Sequence, residues 1–245
     1  WARSRGLGDV YKRQALHYGT AVFEGIRGNW NPEKNKIFVF RLKEHYERLI
    51  KGCKILNMDI NYSVEDLCDI TINLIKESGY KEDIYIRPLA YKSEEKVANL
   101  KLHELESDFA LMIVPFGNYI DNEKPIRCQT SSWRRPHDSM MPTGVKLSGL
   151  YTTSILAKTE AIMAGFDEAI LLNFDGSVSE GSGENLFMLR DGNLVTPSET
   201  ENCLLGITRD CVFEIALKEF GMEISSRKIH RSEIYLADEV FLTGT

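Results

Sequence analysis

Residues 168–196 read EAILLNFDGSVSEGSGENLFMLRDGNLVT, and this stretch decides the class of fold. Its apolar segments 168–173, 185–190 and 193–196 are short and rich in branched residues, which is typical of β-strands. The pairs Asp175-Gly176 and Asp191-Gly192 are signals for tight turns between them. The stretch therefore predicts closely spaced strands, joined by a segment of small residues that carries two carboxylates.

Helical periodicity appears on both sides of this strand-rich stretch. Apolar residues spaced three and four apart predict helices over 42–56, 64–79, 150–164 and 208–220. Ser63 with Asp66 is a capping signature for the second helix, and Gly165 and Gly221 are expected to end the last two. Further strands are predicted over 37–40, 84–91, 109–114, 126–133, 223–228 and 239–242. The fold class is therefore α/β (α+β).

The division into domains is predicted from a polar segment with a proline at each end, residues 115–125. We expect this segment to link a small α/β domain over 15–114 to a large cofactor-binding domain over 126–245. Residues 1–14 are basic and aperiodic and are expected to be a non-native leader. The last strand runs into Gly244-Thr245, so we expect a fragment that is incomplete at its C-terminus.

Composition excludes several classes of protein. The 245 residues include 36 acidic and 30 basic side chains, a formal charge of −6, with 43% hydrophobic residues. This is the balance of a soluble globular protein, and a nucleic-acid-binding protein would carry a basic face. No apolar run approaches the roughly 18 residues of a membrane helix. The five cysteines never form C-x-x-C, which indicates reduced thiols in a cytoplasmic protein.

The motifs of several common chemistries are missing from the sequence. It contains no G-x-x-x-x-G-K-[ST], no G-x-G-x-x-G after a strand, no G-x-S-x-G and no H-E-x-x-H. The five histidines show no metal-ligand spacing, so no metal is predicted. Nucleotide-binding proteins, serine hydrolases and metalloproteases are thereby disfavoured.

Four segments carry residues that are unusual for purely structural positions: 17–27, 142–151, 179–187 and 205–209. Lys146 lies in an apolar, glycine-flanked setting, where a desolvated amine loses its proton more readily and can form a Schiff base. Of the two carboxylates in 179–187, one could face a buried cation. The helix start near Thr208 offers free N–H groups and a hydroxyl suited to phosphate.

Each segment also has a structural interpretation. Residues 17–27 can be a strand and turn with surface charge, Lys146 a solvated lysine, the carboxylates a charged turn and Thr208 an ordinary N-cap. Taken together, however, a reactive lysine, a carboxylate and a phosphate-binding helix start are the parts that a pyridoxal phosphate site needs.

These segments resemble, in order, motifs of the branched-chain amino-acid aminotransferases, within the fold-type IV (class IV) pyridoxal-phosphate enzymes. The resemblance covers residues 15–245 and rests on 15–27, 40–49, 85–88, 146–151, 179–187, 206–210 and 235–245. It implies a small α/β domain and a larger domain with a pseudo-barrel of mixed strands, with the cofactor between them. It also implies a cytoplasmic homodimer or higher homo-oligomer that serves branched-chain amino-acid biosynthesis.

The resemblance further implies transamination between branched-chain L-amino acids (leucine, isoleucine, valine) and 2-oxoglutarate, with pyridoxal 5'-phosphate as cofactor. Lys146 would form the Schiff base and move the proton, Glu180 would pair with the protonated pyridine nitrogen, and Tyr151 would bind the ring oxygen. The other cofactor-binding residues would be Arg48, Leu204, Ile207, Thr208 and Thr245. The substrate pocket, partly across a dimer interface, would use Tyr18, Phe23, Arg27, Tyr85 and Arg87.

The chain departs from the family pattern at two positions, of which the first concerns substrate preference, and alternatives remain open. Leu150 replaces a polar residue beside the site, and Leu205 stands where proline is common. The pair Tyr85 and Arg87 favours the branched-chain group. The alternatives are a fold-type IV relative that acts on D-amino acids, (R)-amines or aminodeoxychorismate, and a non-catalytic fragment.

Overall fold

The computed structural model describes residues 12–117 and 124–245. The described residues fall into two compact units, one formed by 12–117 with 145–149 and the other by 124–144 with 150–245. Most of the predicted leader (1–11) and the middle of the predicted linker (118–123) lie outside the described residues. Of the leader, Gln14 is buried, and its N–H donates to the backbone oxygen of Glu94 at 3.0 Å.

The first unit is built on an antiparallel sheet of five strands. Its elements are α1 (Gln14–Tyr18), β1 (Ala21–Phe23), β2 (Ile26–Asn31), β3 (Lys36–Val39), α2 (Leu42–Ile55), α3 (Val64–Ser78), β4 (Ile84–Lys92) and β5 (Ser107–Pro115). Strand β4 pairs with β5 along one edge and with β1 and then β2 along the other. The interruption between β1 and β2 is Glu24-Gly25, and Glu24 N–H donates to the Pro88 oxygen at 3.0 Å.

Strand β4 sorts its side chains between two faces of this sheet. Ile84, Ile86 and Ala90 are fully buried, whereas Tyr85 and Arg87 belong to the alternate, partly exposed set. Ile84 and Ile86 pack with Ile26 of β2 and are covered by apolar residues that include Ile75 of α3. The apolar core therefore fixes the sheet, and the alternation places Tyr85 and Arg87 together on one face.

The second unit contains two sheets and three helices within its described residues. Its elements are β6 (Cys128–Arg134), α4 (Tyr151–Met163), β7 (Glu168–Leu172), β8 (Val178–Gly181), β9 (Asn185–Arg190), β10 (Asn193–Pro197), α5 (Ile207–Phe220), β11 (Ile224–Arg227), α6 (Arg231–Ile234) and β12 (Glu239–Thr243). The sheets have the orders β6-β7-β8 and β11-β10-β9-β12. A core that includes Ile170, Val178, Leu186 and Met188 packs residues from both sheets together.

The predicted mixed α/β class is confirmed, and the predicted helices and strands occur with ends displaced by one or two residues. The sequence pattern missed β8, because Ser179, Glu180 and Gly181 lack the apolar signal of a strand although all three are buried. Residues 145–149, which the sequence pattern assigned to the large domain, pack with the first unit. No helix among the described residues is long and apolar enough to cross a membrane.

Candidate functional site

Backbone contacts within the first unit hold the segment Val145–Gly149, which contains Lys146. Phe23 N–H donates to the oxygen of Lys146 at 3.1 Å, and Leu147 forms a β-bridge with Val22. Gly149 N–H donates to the oxygen of Gly19 at 3.2 Å. A Cβ at Gly19 would lie 2.8 Å from the Cα of Gly149, and Gly19 has φ +65°, so glycine is required there. Lys146 is thus fixed beside the end of β1.

An aromatic and cationic cluster surrounds the Lys146 amine. Its Nζ lies 4.9 Å from the centroid of the Phe23 ring, and the guanidinium carbon of Arg87 lies 4.7 Å from the same centroid. Arg87 Nη2 donates to the Tyr85 hydroxyl at 2.7 Å. Arg87 Nε is buried and has no hydrogen-bond partner within the described residues. The cluster therefore brings together four predicted site residues and leaves a buried donor for an acceptor from a ligand.

Arg27 lies near this cluster on β2, and Tyr18 makes different contacts. The Arg27 guanidinium lies 5.1 Å from the ring centroid of Phe116, whose ring is 5.0 Å from that of Tyr85. The Tyr18 hydroxyl accepts the N–H of Ala98 at 3.1 Å, and Tyr18 is 40% exposed. Of the five predicted substrate residues, the structure thus brings Phe23, Tyr85 and Arg87 together, with Arg27 adjacent.

Arg48, predicted to bind phosphate, has a carboxylate partner that the sequence pattern did not reveal. Its Nε and Nη2 atoms each lie 2.7 Å from an oxygen of Glu24, a bidentate pair. His45 Nδ1 lies 2.8 Å from Glu24 Oε2. Burial alone would raise the pKa of Glu24, but the hydrogen bonds from Arg48 and His45 outweigh burial and hold that pKa below its ordinary value. The sequence did contain one signal for this arrangement: the spacing of His45 and Arg48 puts both side chains on one face of α2.

Glu180, in the second unit, faces a buried cation, which is one of the two alternatives that the sequence left open. Its Oε1 atom lies 2.9 Å from Arg135 Nη2, and both side chains are buried. Its Oε2 atom accepts from Asn185 Nδ2 at 3.1 Å and from Leu204 N–H at 2.9 Å. Asn185 also donates to the oxygen of Leu204 at 2.7 Å. Sequence reasoning missed Arg135 and Asn185, because their roles arise only when distant segments meet.

The start of α5 follows Leu204 closely. Gly206 is the N-cap and makes no side-chain capping bond, so the structural interpretation of Thr208 as the N-cap is wrong. Thr208 is instead the second residue of the helix, where the first-turn N–H groups have no acceptor within the helix. A Cβ at Gly206 would lie 2.2 Å from Asn185 Oδ1. The glycine therefore lets the helix start approach the residue that orients Glu180.

The remaining predicted cofactor residues lie at element ends. Tyr151 is the first residue of α4, and Thr245 follows β12 at an exposed position. The segment after β10 also lines an open cavity of about 370 Å³, whose walls include His137, Asn202, Cys203 and Leu205. Among the described residues, no group of three histidine, cysteine or acidic side chains is placed to hold a metal ion.

The two units present different chemical groups. The first presents an amine beside an aromatic ring and a guanidinium. The second presents a buried carboxylate with charged and neutral donors, and a helix N-terminus that attracts anions.

Comparison with known proteins identifies the family of this chain. Residues 21–245 match the family described as Amino-transferase class IV. The probable branched-chain-amino-acid aminotransferase of Aquifex aeolicus (strain VF5) is 49% identical over 231 residues, which are 94% of this chain and 74% of that relative.

Solved structures are similar over nearly the whole chain. The branched-chain aminotransferase from Thermoproteus uzoniensis with norvaline has a TM-score of 0.91 and 44% identity, covering 96% of this chain and 77% of that one. The branched-chain amino acid aminotransferase from Thermobaculum terrenum in its PLP-form has a TM-score of 0.89 and 35% identity, covering 99% and 78%. The chain therefore belongs to the class IV aminotransferases and, within them, to the fold-type IV branched-chain-amino-acid aminotransferases, whose cofactor is pyridoxal 5'-phosphate.

Proposed function

We propose that this chain transfers amino groups between branched-chain L-amino acids and 2-oxoglutarate. The observation that carries the proposal is the cluster in which the Phe23 ring lies within 5 Å of both the Lys146 amine and the Arg87 guanidinium. A reactive amine needs to meet a substrate with an apolar side chain and a carboxylate. The ring supplies the apolar wall, and the guanidinium supplies the charge-assisted donor.

The residues present fit pyridoxal phosphate. When bound, the cofactor supplies an aldehyde for the amino group and a ring that withdraws electrons from the substrate. Lys146 would hold the cofactor through its aldehyde group and, once the substrate amine has displaced it, would move a proton through Nζ. Backbone hydrogen bonds fix its segment on both sides of the residue. Glu180 would accept the hydrogen of the ring nitrogen, since Arg135 and Asn185 favour its ionised form.

The phosphate would lie at the N-terminus of α5. Gly206 leaves the first turn without a side-chain cap. The N–H groups of Ile207 and Thr208 and the Thr208 hydroxyl would therefore donate to the anion. Arg48 and Thr245 remain proposed phosphate residues, Tyr151 a proposed partner of the ring oxygen, and Leu204 a proposed contact of the ring face.

Substrate selection is proposed to use both kinds of group in the first unit. The rings of Phe23 and Tyr85 would pack on a branched apolar side chain. The distal carboxylate of glutamate would pair with Arg27 or Arg87 in the opposite half-reaction. Tyr18 remains a proposed pocket residue.

We also propose a homodimer or higher homo-oligomer and a cytoplasmic location. All five cysteines are free thiols, as in a reducing compartment. Sedimentation of the purified protein measures its oligomeric state, and a monomer at every concentration would refute the proposed oligomer.

Chemical trapping tests the role of Lys146. The protein is mixed with pyridoxal phosphate and reduced with borohydride, and the labelled peptide is identified by mass spectrometry. We expect one label, at Lys146, and none there in Lys146→Ala. The matched control is Lys124→Ala, which removes an exposed lysine and should keep the label. Labelling of wild type elsewhere but not at Lys146 would refute the assignment.

A substrate panel tests specificity. L-Leucine, D-alanine, (R)-phenylethylamine and aminodeoxychorismate are each offered with 2-oxoglutarate. We expect turnover of L-leucine, and Arg87→Leu should reduce kcat/KM for 2-oxoglutarate by about 10-fold or more, since it removes a charged hydrogen bond. Turnover of only one of the other three amines would contradict the branched-chain assignment.

A further inference from the structure

Two carboxyl groups lie at the turn that joins β8 to β9. Glu168, the first residue of β7, is buried, and its Oε2 atom lies 2.5 Å from Nζ of Lys158 on α4. Glu184, the last residue before β9, hydrogen-bonds Glu168, and its Oε2 atom accepts Gly183 N–H at 3.0 Å. The cluster therefore sets two carboxyl groups against one ammonium group.

Within the described residues, the other titratable groups near this pair are Cys128 and Asp167, and Asp167 has its own cation, because Arg127 Nε lies 3.5 Å from its Oδ2 atom. Burial raises the pKa of the Cys128 thiol on β6 to about 11, and Glu168 and Glu184 act in the same direction. Asp167 adds a further carboxylate, and its backbone oxygen accepts from Lys158 at 2.8 Å. Burial first and the charge of Glu168 second raise the pKa of Glu184 to about 7. One carboxyl of the pair therefore keeps a proton well above the ordinary range of glutamate.

The side chain of Glu184 has little room to move away from Glu168. A Cβ at Gly181 would lie 2.8 Å from Glu184 Oε2, and a Cβ at Gly244 would lie 3.3 Å from Glu184 Cγ. Gly181 N–H also donates to the backbone oxygen of Glu184 at 2.7 Å. Because the two glycines lie against this half-buried side chain, repulsion between two ionised carboxylates would act in part on the backbone of the turn.

We propose that Glu184 is a positioning residue that carries the proton of this carboxyl pair and thereby holds the turn that presents Glu180 and Asn185. Its Oε2 atom accepts from Gly183, so Oε1 carries the hydrogen and donates it to the carboxylate of Glu168, which Lys158 neutralises. Glu180 lies four residues before Glu184, and Asn185, which donates to Glu180, follows it immediately. Loss of the proton displaces Asn185 and weakens its hold on Glu180.

The sign of the pH dependence follows from the direction of the shift. The native carboxyl keeps its proton to a higher pH than the unfolded one, so the native state binds the extra proton between about pH 4.5 and about pH 7. The stabilising contribution is complete below that interval and is lost as pH rises through it. Glu184→Gln keeps a hydrogen-bond donor and an acceptor at all pH values, so the variant should not lose this stabilising contribution.

The test is urea unfolding of wild type and Glu184→Gln, without cofactor, from about pH 5 to about pH 9. We expect the unfolding midpoint of wild type to fall relative to that of the variant between about pH 5 and about pH 7, and the difference to stay constant above about pH 7. Glu168→Gln is a second variant that removes the repulsion and should lose the same dependence. Glu219→Gln, an exposed carboxylate on α5, is the control for loss of one charge and should follow wild type. A difference between wild type and Glu184→Gln that is constant with pH overturns the proposal.

The positioning role is tested separately and rests on the proposed function. The Kd of pyridoxal phosphate is measured for both proteins over the same pH range. Dividing the wild-type Kd by the Kd of Glu184→Gln removes the pH dependence that arises from titration of the cofactor itself. We expect this ratio to rise several-fold above about pH 7. An unchanged ratio overturns the positioning role. Failure of both proteins to bind the cofactor contradicts the proposed function, while the unfolding experiment still decides the carboxyl pair.

Discussion

At the scale of single residues, the charged groups of the candidate site have partners that hold them in place. Arg135 with Glu180, and Arg48 with Glu24, are buried or nearly buried pairs with additional hydrogen bonds. A buried carboxylate is tolerated only when such partners replace water. Each acidic residue of these pairs is therefore sensitive to the loss of its cation.

Removing Arg135 should leave Glu180 as an uncompensated buried charge. We expect Arg135→Met to lower the free energy of unfolding by about 3–5 kcal/mol. The double variant Arg135→Met with Glu180→Gln should lose less than the sum of the single variants, because no charge remains buried. Urea unfolding of all four proteins measures the coupling, and strictly additive losses would show that the two side chains do not interact.

Glu24 should make stability depend on acid pH. Its native pKa lies below its ordinary value, so below about pH 4.5 the unfolded state binds more protons and stability falls as pH decreases through the native pKa. Glu24→Gln should be less stable than wild type near neutral pH, and its stability should fall less on acidification. Urea midpoints from about pH 3 to about pH 7 measure this; parallel curves for the two proteins would contradict it.

At the scale of elements, helix ends divide into capped and uncapped types. Ser63 accepts Asp66 N–H at 3.0 Å, and Asp66 accepts Ser63 N–H at 2.9 Å, so α3 begins with a complete capping box. In contrast, α5 begins at Gly206 without a side-chain cap. A cap satisfies N–H groups within the chain, whereas an uncapped start keeps them for an anion.

The capping box of α3 should contribute measurably to stability without affecting the site. We expect Ser63→Ala to lower Tm by about 2–4 °C, because it leaves the first-turn N–H groups to water. Ser63→Thr keeps the hydroxyl acceptor and should remain near wild type. Thermal unfolding measured by circular dichroism distinguishes them, and equal losses in both variants would contradict the role of the hydroxyl.

At the scale of the whole molecule, the chain distributes the proposed cofactor residues over two compact units. Lys146, Arg48 and the substrate residues belong to the first, and Glu180 and the start of α5 belong to the second. A ligand that binds only the folded chain stabilises it by mass action. Cofactor binding should therefore appear as a change in the stability of the whole chain.

Pyridoxal phosphate should stabilise the protein against unfolding by about 2.7 kcal/mol when present at about 100 times its Kd. Pyridoxal without the phosphate should stabilise less, because it lacks the anion for α5, and Lys146→Ala should reduce the effect of both. Urea unfolding at several ligand concentrations measures this. Equal stabilisation by pyridoxal and its phosphate would contradict phosphate binding at α5.

The sequence by itself determined the mixed α/β class and most helices and strands, and it indicated the residues proposed to carry chemistry. Periodicity, capping signals and turn pairs act over a few residues, so Ser63, Asp191-Gly192 and Gly221 could be recognised locally. The order of motifs around Lys146, Glu180 and Thr208 was likewise visible, and it led to the family to which the chain belongs.

Only the tertiary structure decided how those residues are held. Arg135 lies 45 positions before Glu180, Glu24 lies 24 before Arg48, and Glu168 lies 16 before Glu184, and no local pattern relates such positions. Strand β8 was missed for the same reason, since Ser179 and Glu180 are polar although buried and are satisfied by partners from other segments. Backbone propensity and periodicity are properties of neighbouring residues, whereas the pairing of buried charges depends on which distant segments the fold brings within hydrogen-bond distance.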